Sequence, residues 1–114
     1  MKKLILTNEQ LMNIYSEDSF RFKLIDNGEW QQDGKSQYCR FIFKDITTDL
    51  LYSAWIGRSG SPFTEWIYDS DHMPDELNNL SPVELKEIVV KEWVVIKNVK
   101  EEERVEDVIG EYND

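Results

Sequence analysis

One stretch gathers most of the groups able to do chemistry: Asp69-Ser70-Asp71-His72-Met73-Pro74-Asp75-Glu76. Hard cations take carboxylate oxygens, and an imidazole among carboxylates suits iron, manganese or zinc. The spacing is not that of an EF-hand, because the glycine and the distal bidentate glutamate are missing. His72 is the single histidine of the chain. Every histidine-dependent mechanism therefore rests on it, as a general base oriented by Asp71 or Asp75, or as the activator of a Cys39 nucleophile. Cys39 stands between Tyr38 and Arg40 in an alternating run, where a cysteine is ordinarily a small buried apolar residue. Two carboxylates across a cleft can hydrolyse glycosides, but with 23 acids in the chain the nearness of any two distinguishes nothing. Gly57-Arg58-Ser59-Gly60 has a G-x-x-G spacing without the Lys-Ser/Thr pair of a P-loop. It reads as a hairpin loop with Arg58 at its tip as a polar contact residue. These residues define one possible reading, a small metal-binding or catalytic protein centred on His72. Without a catalytic constellation the reading preferred here is a binding protein, not an enzyme, with no metal or cofactor.

The charge carries more information. Residues 1–64 hold eight acids and eight bases, which cancel; residues 65–114 hold the other fifteen acids against five bases, giving the whole net charge of −10. Such asymmetry speaks to partners rather than to fold. It opposes direct binding to nucleic acid or to an anionic membrane, both of which require the opposite sign. It suits a basic partner protein, including one whose cleft normally holds nucleic acid. The acids expected to meet that partner are Glu65, Asp69, Asp71, Asp75, Glu76, Glu84 and Glu92, with Glu101, Glu102 and Glu103 near the end. Electrostatics alone steers more than it holds, so exposed aromatics are expected to anchor the contact. Trp30, Tyr38, Tyr52, Trp55, Trp66, Tyr68 and Trp93 cannot all face one core, and Trp55, Trp66 and Tyr68 are the anchors expected here, with Arg58 beside them.

The elements that would position these residues follow from periodicity. Thr7 with Gln10 three residues on forms a capping-box pattern, and Leu11, Ile14 and Tyr15 continue it at helical spacing, predicting a helix from about Asn8 to Asp18. Phe20 to Leu24 alternates as a strand. Tyr38 to Lys44 and Leu50 to Ile56 alternate likewise, and a third strand is expected from Phe63 to Asp69. Val83 to Lys97 is the longest β-rich run, although Ser81 and Glu84 also fit a helix cap before it. The expected fold is α+β: the short N-terminal helix on an antiparallel sheet of four or five strands. Residues 1–100 form one domain in this reading, and 101–114 an acidic helix or tail. The four Trp, five Tyr and five Phe supply the core, each burying about 150–250 Å².

No apolar run approaches the ~20 residues of a membrane span. The apolar stretch Leu4-Ile5-Leu6 ends at Thr7, too short for a signal peptide, and a lone cysteine suits a reducing compartment. The expected location is the cytoplasm.

Arg40-Phe41-Ile42-Phe43-Lys44-Asp45, followed by Tyr52 to Tyr68 and then Pro82-Val83-Glu84 to Trp93-Val94, resembles small uncharacterised proteins of phages that infect low-GC bacteria. The resemblance spans Tyr38 to Lys97, about half the chain. It implies an early phage protein, in the host cytoplasm, that acts on a host enzyme or defence system in the manner of anti-CRISPR proteins and other inhibitors. Mimicry of DNA is the mode that the acidic charge adds to this expectation. An immunity protein or antitoxin that neutralises a cognate toxin uses the same physics and is the alternative.

Overall fold

A computed structural model describes residues 1–60, 63, 65–87 and 91–106. The chain is mostly β, with ten strands and two short helices among the described residues. Lys3–Thr7 (β1) leads directly into Asn8–Tyr15 (α1). Phe22–Asn27 (β2), Gln31–Asp33 (β3), Ser36–Asp45 (β4) and Leu50–Ser59 (β5) follow. Ile67–Tyr68 (β6) and a single helical turn, Asp69–His72 (α2), precede Leu77–Leu80 (β7), Pro82–Glu87 (β8), Lys91–Val95 (β9) and Glu102–Arg104 (β10).

The strands form two sheets. A seven-stranded sheet runs β2-β4-β5-β8-β9, with β3 added to β4 and β6 to β5, and a three-stranded sheet runs β10-β1-β7. The expectation of one antiparallel sheet of four or five strands is therefore overturned, and with it the α+β class. The β1–β10 pairing is parallel, Lys3 to Glu102 through Ile5 to Arg104. The missed strands are short or polar. Gln31–Asp33, Leu77–Leu80 and Glu102–Arg104 show no apolar alternation of the kind that announces a half-buried strand. They are held by neighbours rather than by their own propensity. Thr7 Oγ1 accepts from the Gln10 amide and Gln10 Oε1 from the Thr7 amide, so the capping box forms as its residue types require. The strand expected over Phe63–Asp69 shrinks to Ile67–Tyr68, and the Ser81–Glu84 helix start is instead the entry to β8.

β4 and β5 are the spine, paired antiparallel over ten residues. Their period of two sends Cys39, Phe41, Phe43, Tyr52, Ala54 and Ile56 to one face, all buried. Leu4 and Leu6 from β1, Leu11 and Ile14 from α1, Phe22, Leu80 and Val105 complete that core. Its rings pack edge-on and stacked, Phe22 to Phe43 at 5.3 Å and Phe43 to Tyr52 at 5.6 Å. Gln10 ties the end of the described chain into this layer, its Nε2 donating to the Val105 carbonyl at 2.8 Å. The other face of β4–β5 carries Tyr38, Arg40, Ile42, Lys44, Leu51, Ser53 and Trp55, and has no helix packed against it among the described residues. No described helix is long and apolar enough to cross a membrane.

Candidate protein-docking face

The outer face of the large sheet exposes aromatic and apolar side chains among the described residues. Trp55 stands on it 49% exposed, with Tyr38, Leu85 and Val95 exposed around it. Two hollows flank Trp55. One, of about 300 Å³, is lined by Asp26, Gly28, Glu29, Gln31, Arg40, Ile42, Trp55 and Trp93. The other, of about 460 Å³, lies toward the second sheet against Leu77, Asn78, Asn79 and Val95. Trp55 is the wall between them.

Local structure explains the first hollow. Arg40 is directly opposite Trp55 in the β4–β5 register. The β2–β4 register slips between Leu24 and Asp26, so that Asp26 falls opposite Ile42, and such a bulge re-aims the side chains beyond it. Gly28 then donates its amide to the Arg40 carbonyl at 2.7 Å. A Cβ at that position would lie 2.9 Å from the same oxygen, so only glycine lets the chain come this close. The β8–β9 hairpin pairs with β5 only at Leu51 and Tyr52. Beyond that it leaves the β5 edge and brings Trp93 to the hollow. Exposed indoles in hollows of this kind are the usual anchors of protein interfaces.

Of the expected anchors, only Trp55 lies here. Arg58 and Tyr68 are paired residues on the inner face, beyond the end of α1. Arg58 is not at a loop tip; it belongs to β5, and its guanidinium is enclosed by rings. Its central carbon sits 4.0 Å from the Trp30 ring, 4.4 Å from Trp66 and 5.8 Å from Tyr68. Nε and Nη2 donate to Gln37 Oε1 at 2.9 and 2.7 Å, and Nη1 donates to the Tyr68 hydroxyl at 3.1 Å. This cluster clamps β4, β5 and β6 with the Trp30 and Trp66 segments.

The expected acids also divide. Asp69, Asp71, Asp75 and Glu76 lie in the segment from α2 to β7, whose Pro74 and Glu76 carbonyls accept the amides of Glu9 and Asn8 at the start of α1, while the Asp69 carboxylate lies beside Gly57 of β5. Glu65 is exposed ahead of β6. Glu84 and Glu92 share one face of the β8–β9 hairpin, but Lys86 stands directly across from Glu92 and 3.9 Å from Glu84. Glu101 is exposed, and Glu102 Oε2 accepts from Asn79 at 2.7 Å.

Glu103 is engaged internally. Arg21 forks to it at 3.0 and 3.1 Å and to fully buried Asp45 at 3.3 and 3.0 Å, and Lys2 adds a 2.8 Å ion pair to Glu103. The Arg21 hydrogen bonds, then those from Lys2, hold the Glu103 carboxyl down at about 2. Burial pushes the Asp45 carboxyl up, but Arg21 and Thr47 outweigh it and leave it below its ordinary range. Sequence reasoning missed this network because Arg21, Asp45 and Glu103 sit in three separate segments with no spacing signal.

His72 is exposed, with Nδ1 3.1 Å from the Tyr68 carbonyl. Cys39 is buried, its Sγ donates to the Gly28 carbonyl at 3.2 Å, and burial pushes its thiol up. A thiol in that setting is the opposite of an activated thiolate. No described hydrogen bond joins it to His72, and no cluster of metal-ligating side chains forms among the described residues.

The family model described as Phage T4 Y04K protein matches residues 1–96. The chain belongs to this family. The match runs from β1 through β9 and so takes in Trp55, Trp93, the hollows and the Arg58 clamp, and it supports the phage part of the resemblance noted above. A Y04K-family protein is a phage protein, and the family's description carries no activity. No curated protein and no solved structure matches the chain.

Proposed function

We propose that this Y04K-family protein binds a basic protein of the host cell and inhibits it by covering its surface. The open face around Trp55 is the anchor in this reading, and the acidic second half supplies the field that draws the partner in. The observation that carries it is the half-exposed indole of Trp55 between two hollows, on a sheet face with no described layer over it. Desolvating one such ring at the centre of an interface contributes about 2 kcal/mol or more. The −10 charge raises association rates with basic surfaces, including those shaped to hold nucleic acid. No chemistry on the partner is needed, and the protein acts in this reading as a blocking ligand, not an enzyme.

The test is capture of the partner from host extract by the tagged chain, with Trp55→Ala run in parallel. A basic protein retained stoichiometrically by the wild type, released by salt and lost with Trp55→Ala supports the reading. Capture that is indifferent to Trp55 moves the contact to another surface.

A further inference from the structure

The 300 Å³ hollow beside Trp55 has a composition unlike an ordinary apolar recess. Its walls are two indoles, Trp55 and Trp93, and its charged groups are Asp26, Glu29 and Arg40. Two carboxylates against one guanidinium leave one negative charge. None of the three takes part in a described ion pair or side-chain hydrogen bond. On the opposite side of the same sheet, the molecule shows what it does with such a set of walls. Arg58 lies between Trp30 and Trp66 with its central carbon 4.0 and 4.4 Å from the two rings, its N–H groups taken by neutral oxygens of Gln37 and Tyr68.

We propose that the Trp55–Trp93 hollow receives one arginine side chain from the basic partner, stacked on the indoles with its guanidinium turned to Asp26 and Glu29. This rests on the docking reading above and names the group recognised there. A guanidinium matches both halves of the hollow, since it stacks on aromatic faces and forks to carboxylates. It also cancels the remaining negative charge. A lysine ammonium is more strongly hydrated and cannot fork, so it fits less well. At about 300 Å³ the space holds a side chain with a few waters, each of which takes ~30 Å³ in the liquid.

The experiment needs no protein partner. The chain has four tryptophans, so a ¹⁵N spectrum of the full-length protein gives one indole N–H signal for each. Titration with N-acetyl-arginine methylamide is expected to move the Trp55 and Trp93 signals saturably. The citrulline analogue, which is neutral and nearly the same shape, is expected to bind about tenfold more weakly. Asp26→Asn with Glu29→Gln keeps the side-chain volumes and should lower arginine affinity to the citrulline level. Trp55→Ala, at a half-exposed position, should abolish the shift at Trp93. Equal shifts with citrulline, or movement of the Trp30 and Trp66 signals in place of Trp55 and Trp93, would overturn the proposal. Such a failure leaves the docking reading to its own capture experiment, and a positive titration stands even if capture finds no protein.

Discussion

Single residues separate the two aromatic clusters by what their loss does. Trp55 is half exposed, so Trp55→Ala should leave thermal unfolding nearly unchanged while weakening partner binding by about 2 kcal/mol or more. Arg58 is the reverse case. Arg58→Ala opens a stack of three rings and strands Gln37 and Tyr68, and should cost about 1–3 kcal/mol of stability. Arg58→Lys should not restore it, because an ammonium can neither lie flat between Trp30 and Trp66 nor fork to Gln37 Oε1. Denaturant melts of the two variants check this, and full recovery with lysine would contradict the clamp. The type of these residues was legible in the sequence. Their partners were not, because Trp30, Arg58 and Trp66 meet through the β3–β4, β4–β5 and β5–β6 pairings.

Elements are joined here by charge as well as by ladders. Arg21 precedes β2, Asp45 ends β4, Glu103 lies in β10 and Lys2 precedes β1, and their network staples the small parallel pairing to the large sheet. Arg21→Ala leaves the Asp45 carboxylate buried without its cation and should cost about 3–5 kcal/mol. The same network sets an acid limit. Glu103 has a folded value of about 2, below the ordinary ~4.3 of a free glutamate, so its contribution is complete above that ordinary value. It is lost as pH falls from there toward 2, with Asp45 shifted in the same direction. Glu103→Gln should therefore flatten the stability curve over that interval, read by urea melts at pH 5, 4 and 3. An unchanged slope would contradict the assignment. At this scale α1, β4 and β5 were readable, the helix from Thr7 and Gln10 and the strands from strict alternation. β7 and β10 were not, since Asn78, Asn79, Glu102 and Glu103 read as turn or solvated tail. Leu4-Ile5-Leu6 gave too short a run to reveal that β1 is the middle strand of its own sheet. The acidic segment expected at 101–114 contains β10, and residues 107–114 lie outside those described.

The whole molecule is a flat body, 46 × 42 × 23 Å, with one face of its large sheet packed and the other partly exposed around Trp55. The charge asymmetry in the sequence pointed to a partner, but it did not say which surface would meet it. The expected acids are spread between the α2–β7 segment, the β8–β9 hairpin and the β10 region, and the proposed reading puts the contact at the half-exposed Trp55. Salt should therefore slow association strongly and dissociation weakly, because screened long-range charge acts on encounter while Trp55 acts on residence. Stopped-flow mixing with the captured partner at two salt concentrations reads both rates, and a salt effect confined to dissociation would contradict this division of roles.

The most direct test of the central claim is the affinity of the captured partner, by calorimetry, for the wild type, Trp55→Ala and Trp66→Ala. Trp55→Ala should lose tenfold or more in affinity, and Trp66→Ala should lose stability but keep its affinity. The opposite pattern, binding that survives at Trp55 and fails at Trp66, would place the interface on the Arg58 side of the sheet and contradict docking through Trp55.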